Sequence, residues 1–324
     1  MKKSLKPSPA VAVIRCLKSV LNRNLALALA LSAPIAASGA DTGKLFATPE
    51  EAVAALVAAA KAEDTNAFRV IFGPVGEEIE NPDRVQAANE LSAFNAAVDQ
   101  HQQLVHKTDT ECVLEIGNNS WPFPVPIVKR GNQWFFDTEA GKDEILNRHI
   151  GKNELATLQV VRAYVEAQRE YASKDRDGDD VLEFAQKFES ATGTKDGLYW
   201  PLDLDGEVSP LGPLVAEAQA KGYGRNPRKV GSKANPYHGY FFKILTRQGS
   251  AAPGGKYDYL INGNMIGGFA LVAWPAEYGE SGIMTFIVNQ QGRVYQKNLG
   301  SKTAKAAAAM KEYNPDNTWD ISRE

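Results

Sequence analysis

The first strong periodicity along the chain is "TPEEAVAALVAAAKAED", which begins at Thr48. Val53, Leu56 and Val57 make an apolar stripe at helical spacing, with alanine filling the remaining positions. Thr48 suits the N-cap, Pro49 the first helical position, and Glu51 completes a capping box. A second helix is predicted over about Asp83 to His101. The period then shortens: "ECVLEIG", "PFPVPIVKRG" and "NQWFFDTEA" read as strands, with Lys129 to Asn132 as a hairpin turn. Helices followed by a curved antiparallel sheet predict a cone-like α+β domain over 45–148.

The helical period returns in "GKNELATLQVVRAYVEAQREYASKD". Leu155, Leu158, Val161, Val165 and Ala172 form one line, while Tyr164 and Tyr171 stand a heptad apart on the next. A loop rich in aspartate follows, then a short helix expected around Val181 to Phe188. A Gly/Pro/Asp-rich stretch comes next, carrying Leu198, Tyr199, Trp200 and Leu202, and a small helix is expected from Leu211 to Lys221. Five aromatic and β-branched runs follow: "YHGYFFKILT", "KYDYLIN", "GFALVAWP", "GIMTFIVN" and "RVYQKNL". Short turns between them predict antiparallel neighbours in sequence order. "SKTAKAAAAMKEY" predicts a terminal helix, and 314–324 a polar tail. The second domain is thus expected over 149–313, a long helix packed on an antiparallel sheet, and the fold class is α+β.

The first 40 residues differ from the rest. Six basic residues and no acidic one precede Asp41, and "LALALALSAPIAA" runs from Leu25 to Ala37 into the small residues Ser38 to Ala40. This pattern predicts a cleaved secretory signal over 1–40 and a periplasmic or secreted protein, with no later segment of membrane-spanning length. Without those residues the balance is 30 basic against 39 acidic, a net −9, which argues against nucleic acid as a partner. Of the two cysteines, Cys16 lies in the leader. Cys112 remains alone, read as a small strand residue and not a nucleophile.

Candidate chemistry is sparse. Asp175, Asp177 and Asp179 alternate through "DRDGDD", and with Glu183 they match positions one, three, five and nine of a calcium-binding EF-hand loop. Asp180 stands where such a loop carries glycine, and Gln186 where it carries a bidentate acid. Calcium is therefore the one candidate cofactor, in a reduced loop; the alternative is a helix-capping turn. The four histidines show no paired zinc spacing, and His238 is the candidate to line a cleft. No nucleophile elbow, phosphate loop or dinucleotide fingerprint is present. Tyr257, Trp274 and Tyr278 are the residues that could form an aromatic binding face.

Three resemblances attach to these motifs. "APGGKYDYLINGNMIGGFALVAWPAEYGESGIMTFIVNQQGRVYQKNLG", with "WPFPVPIVK" and "DGLYWP", resembles a bacterial family of exported proteins of unknown function and covers nearly the whole chain after the leader. The helix "AYVEAQREYASKDRDG" followed by the terminal sheet resembles the soluble half of type II secretion pseudopilins. The helices and sheet of the first domain resemble, in plan, nuclear-transport-factor-like and cystatin-like cones. A whole domain separates the leader from the "AYVEAQ" helix, so the pilin resemblance implies the fold alone. The aromatic density of Tyr237 to Tyr295, with no nucleophile coupled to a base, predicts a non-enzymatic module that binds an envelope protein or glycan. The alternatives are a hydrolase of envelope polymers using His238, and a calcium-stabilised structural module.

Overall fold

Thr48 and Asp64 begin the structure's local logic, because each caps a helix with its own side chain. The computed structural model describes residues 43–81, 83–202, 206–221, 223 and 236–322; the expected signal over 1–40 lies outside them. Thr48 Oγ1 accepts the Glu51 amide at 3.2 Å and opens α1 (Pro49–Lys61), while Glu51 reaches back to the Ala47 amide at 3.1 Å. Asp64 caps α2 (Thr65–Phe72), which leads into α3 (Val75–Glu78), and Asp83 caps α4 (Arg84–Gln100). Five strands follow: β1 (Gln102–Thr108), β2 (Glu111–Ile116), β3 (Trp121–Pro122), β4 (Ile127–Arg130) and β5 (Gln133–Phe136). They pair antiparallel in the order β1-β2-β4-β5, with β3 added to β2. The expected hairpin turn holds: Arg130 pairs with Gln133, and Gly131 takes a φ of 62°. Along β2, Cys112, Leu114 and Ile116 turn inward onto Leu56, Ile71 and Val98, and the residues between them are half-exposed. This first core lies on one face of its sheet.

The helix α5 (Thr138–Tyr171) has 34 residues and starts directly after β5, capped by Asp137. Its first turns lie in "TEAGKDEILNRHI", where the polar residues and Gly141 give little periodic signal. Gly141 has a packing reason: a Cβ there would sit 2.9 Å from Val125 Cα and Cγ2. The helix therefore runs through the expected boundary at 148/149, and it serves two cores. Ile145 packs on the first, and Leu158, Val161, Tyr164 and Val165 on the second.

The second core lies against a five-stranded antiparallel sheet. After α6 (Gly212–Ala220) come β6 (Tyr240–Leu245) and two short ladders, β7 (Arg247–Gln248) with β8 (Tyr257–Asp258) and β9 (Leu260–Ile261) with β10 (Asn264–Met265). Then follow β11 (Ala270–Pro275), β12 (Met284–Asn289), β13 (Tyr295–Asn298), α7 (Thr303–Ala309) and β14 (Asp320–Ile321), giving the order β14-β13-β12-β11-β6. Every residue of β11 is buried, with α5 and α7 both packed on it. Two expectations change here. "KYDYLIN" leaves the main sheet, because buried Tyr259 anchors it between the two ladders by a bond to Gln248 (2.9 Å), and the turn at Asn262 and Gly263 folds it back. The polar tail is not free: Asp320 and Ile321 pair with Gln296 and Tyr295. Among the described residues, no helix is long and apolar enough to cross a membrane.

Candidate functional site

The aspartate loop follows α5 and is fixed by a residue that sequence spacing did not single out. Arg176 is buried beneath it and donates to the carbonyls of Glu170 and Tyr171 at 3.3 Å, closing the C-terminus of α5. Its guanidinium also bonds Glu207 at 2.7 Å and lies over the rings of Trp200 and Tyr171. With Arg176 held inward, Asp175, Asp177 and Asp179 are left outward, and one oxygen from each lies within 4.8 Å of the others. Among the described residues this is the one cluster of three or more metal-type ligands.

The loop's backbone supplies part of what a cation site needs. Asp175 accepts the amides of Gly178 (2.8 Å) and Asp180 (3.0 Å), which hold its carboxyl below the usual range. Asp180 takes a φ of 64°, so the position that wants glycine in an EF-hand turns sharply without it. Asp177 is shifted upward, first by burial and then by the charges of Asp179 and Asp175. A hard dication would relieve that repulsion, and the donor set of carboxylate oxygens suits calcium. The residues fit the ion with three acids, a smaller set than a full EF-hand provides.

Glu183, the fourth expected ligand, does not join them. Its Oε2 accepts the Met265 amide at 2.8 Å, and its carboxyl is shifted upward by burial. The helix expected over Val181 to Phe188 is also absent. This segment is extended because both main-chain groups of Ala185 are taken by the side chain of buried Gln168, its amide by Oε1 and its carbonyl by Nε2, each at 2.8 Å. The amide of Phe184 donates to Met265 O, and the Phe184 ring packs edge-on against Phe269 at 4.8 Å. The loop therefore lacks the second helix of an EF-hand.

The same segment joins the loop to the β9–β10 hairpin. Asn264 donates to Asp179 (2.7 Å) and Gln186 to Gly263 O (2.7 Å), besides the Glu183 and Phe184 bonds to Met265. Hairpin and loop form one hydrogen-bonded unit, and it is unusually apolar outside. Leu182 is 60% exposed, Ile261 46%, Ile266 43% and Leu260 36%. Single exposed apolar residues are ordinary; four on one small unit beside acids are not.

The expected aromatic face does not form. Trp274 is only 6% exposed, packed against Phe241 within the fully covered strand β11. Tyr257 and Tyr278 are exposed, but Tyr257 bonds Gln290 beyond the Ala270 end of β11, and Tyr278 lies beyond its Pro275 end. About 17 Å of strand separates those ends.

His238 is half-buried against Tyr237 and Tyr223, at ring distances of 4.4 and 5.7 Å. Burial, then the charge of Lys221, lowers its pKa to about 4. The nearby carboxylate Asp83 is already engaged, accepting the Val85 and Gln86 amides and the Tyr223 hydroxyl (2.7 Å). No nucleophile–base–acid chain is assembled around this ring among the described residues, so a hydrolytic reading gains no support. Cys112 is fully buried with its Sγ 3.2 Å from His106 Nδ1, and burial together with Glu50 and Glu111 pushes its thiol up, away from the reactive thiolate.

Compared with known sequences, residues 43–321 match a family described as "Protein of unknown function (DUF2950)". No curated protein and no solved structure matches the chain.

Proposed function

The chain belongs to the DUF2950 family, and from that premise we propose that it is an exported, non-enzymatic module that binds a protein partner in the cell envelope. The recognition surface is the β9–β10 hairpin with Leu182, and calcium is the ion that sets its base through the aspartate loop. One observation carries this reading: the exposed apolar residues and the three converging carboxylates belong to a single hydrogen-bonded unit. Export is supported by the basic leader, apolar run and small-residue exit of residues 1–40. The acids around the hairpin favour a partner with apolar groups flanked by lysine or arginine. A glycan lacks that positive charge, and its retention in place of a protein is the alternative outcome of a capture experiment.

The ion is tested by the melting temperature in millimolar calcium and in chelator, for the native protein and Asp177→Asn. An ion bound by the folded state alone, at about a hundred times its dissociation constant, adds about 2.7 kcal/mol, a rise of several degrees. The expected result is such a rise in the native protein and its loss in the variant. Coincident curves would remove calcium from the account and leave "DRDGDD" as a capping turn held by Arg176.

A further inference from the structure

A second polar cluster lies where α4, α5 and two turns of the C-terminal sheet meet, and it carries an inference independent of the calcium reading. At its centre is Asn153 of α5, with no exposed surface. Its Nδ2 donates to Ser281 O at 2.9 Å, and its Oδ1 accepts from Gln86 Nε2 at 3.2 Å, so the orientation of the amide is fixed from both sides. Gly239, at a φ of 69°, closes the cluster. A Cβ there would fall 2.8 Å from both Asn153 Nδ2 and Ser281 Cβ, so this close approach admits only glycine.

His149 stands one turn earlier on α5, and both of its ring nitrogens face amide NH2 groups. Nε2 is 3.1 Å from Asn153 Nδ2, and Nδ1 is 3.3 Å from Asn81 Nδ2. The Asn81 amide is oriented in turn by the Asp83 N–H on its Oδ1 (2.9 Å) and by Glu90 Oε2 on its Nδ2 (3.3 Å). A neutral imidazole has one lone pair to offer such donors; an imidazolium has none and sets an N–H against each. We propose that His149 is an acid-sensitive latch: neutral, its Nε2 accepts from Asn153 and steadies the side chain through which α4 and α5 reach the 276–282 turn, and protonation sets an N–H against that amide and loosens the joint.

Charges from each packed element bear on the ring. Glu90 of α4 and Asp83 at its N-cap favour the proton, whereas Lys152 of α5 opposes it. The 276–282 turn contributes the Ser281 carbonyl. His238, in the turn beside Gly239, is itself held neutral by burial and by Lys221 and Lys152. Burial is the largest influence on His149 and lowers its pKa below the ordinary 6.5, the direction a neutral latch requires.

The test is an NMR titration of the four histidines with hydrogen exchange of residues 150–158 and 281–284 between pH 7.5 and 5, in the native protein and in His149→Gln. Glutamine keeps a carbonyl to accept from Asn153 but cannot charge. The expected result is that His149 titrates below 6.5 and protection falls by up to about tenfold per pH unit beneath that point, while His149→Gln keeps its protection. His149 titrating at or above 6.5, or a variant that loses protection as the native protein does, would overturn the proposal. If the variant fails to fold, the native protein alone decides: protection unchanged while His149 charges also overturns it.

Discussion

The two sheets of this protein are built on different rules. In the N-terminal sheet, β2 alternates between buried and half-exposed residues, and a single helical layer covers one face. In the C-terminal sheet, β11 is buried at all six positions, and α5 and α7 both pack on it. The first tolerates polarity at every other residue; the second carries none along β11. The recognition unit we propose hangs from the more deeply buried of the two, on a hairpin excursion between β6 and β11.

The largest effect should come from the doubly covered core. Phe286→Ala removes a ring that is 1% exposed, and it should cost about 3–5 kcal/mol in urea unfolding. Leu104→Ala on the half-exposed strand β1 should cost less than half of that. Equal losses would mean that the two sheets are covered alike.

Glycines sharpen the contrast next. Gly131 and Gly239 have similar φ, 62° and 69°, but a Cβ at Gly131 meets nothing within 4 Å, whereas one at Gly239 strikes Asn153 and Ser281. Gly131→Ala should cost about 1 kcal/mol from backbone strain alone. Gly239→Ala should cost about 2 kcal/mol more, because the joint must also shift. Matching midpoints for the two variants would show that the joint is loosely packed.

Acid should act on the joint and spare the N-terminal sheet. His238 has a folded pKa depressed from 6.5 to about 4, and His149 is lowered as well. The unfolded chain then binds more protons in this range, so stability is full above pH 6.5 and is lost as pH falls toward about 4. Denaturant midpoints across that range should decline in the native protein and decline less in His238→Asn. A flat profile would place both rings in contact with water.

Much of the fold was legible in the sequence, for identifiable reasons. The cap at Thr48, the turn at Gly131, the long helix and four of the five C-terminal runs are local signals, and local geometry obeys them. What was hidden depends on distant partners. Gln168 prevents a helix at 181–188 by occupying the main chain of Ala185, and no spacing rule announces that pairing. Tyr295 recruits the tail as β14 in the same way. At the site, the alternation of Asp175, Asp177 and Asp179 foretold their convergence, but not that Glu183 would turn to Met265 or that Arg176 would anchor the loop. Trp274 was readable after all: "GFALVAWP" is continuously apolar without alternation, the mark of a strand covered on both faces.

The smallest effect on stability should come from the hairpin itself. Ile261→Asp alters an exposed side chain and should change unfolding by no more than about 0.5 kcal/mol. The same change should abolish retention of an envelope protein on the immobilised chain. Undiminished retention would move the recognition surface elsewhere.

The most direct measurement is hydrogen exchange at the amides of Val181, Asn264 and Met265, with and without calcium. Because Asp179 and Glu183 bond the hairpin directly, calcium should slow exchange in the aspartate loop and in the hairpin over the same concentration range. Slowing confined to the loop, or none at all, would contradict the claim that the two form one binding unit.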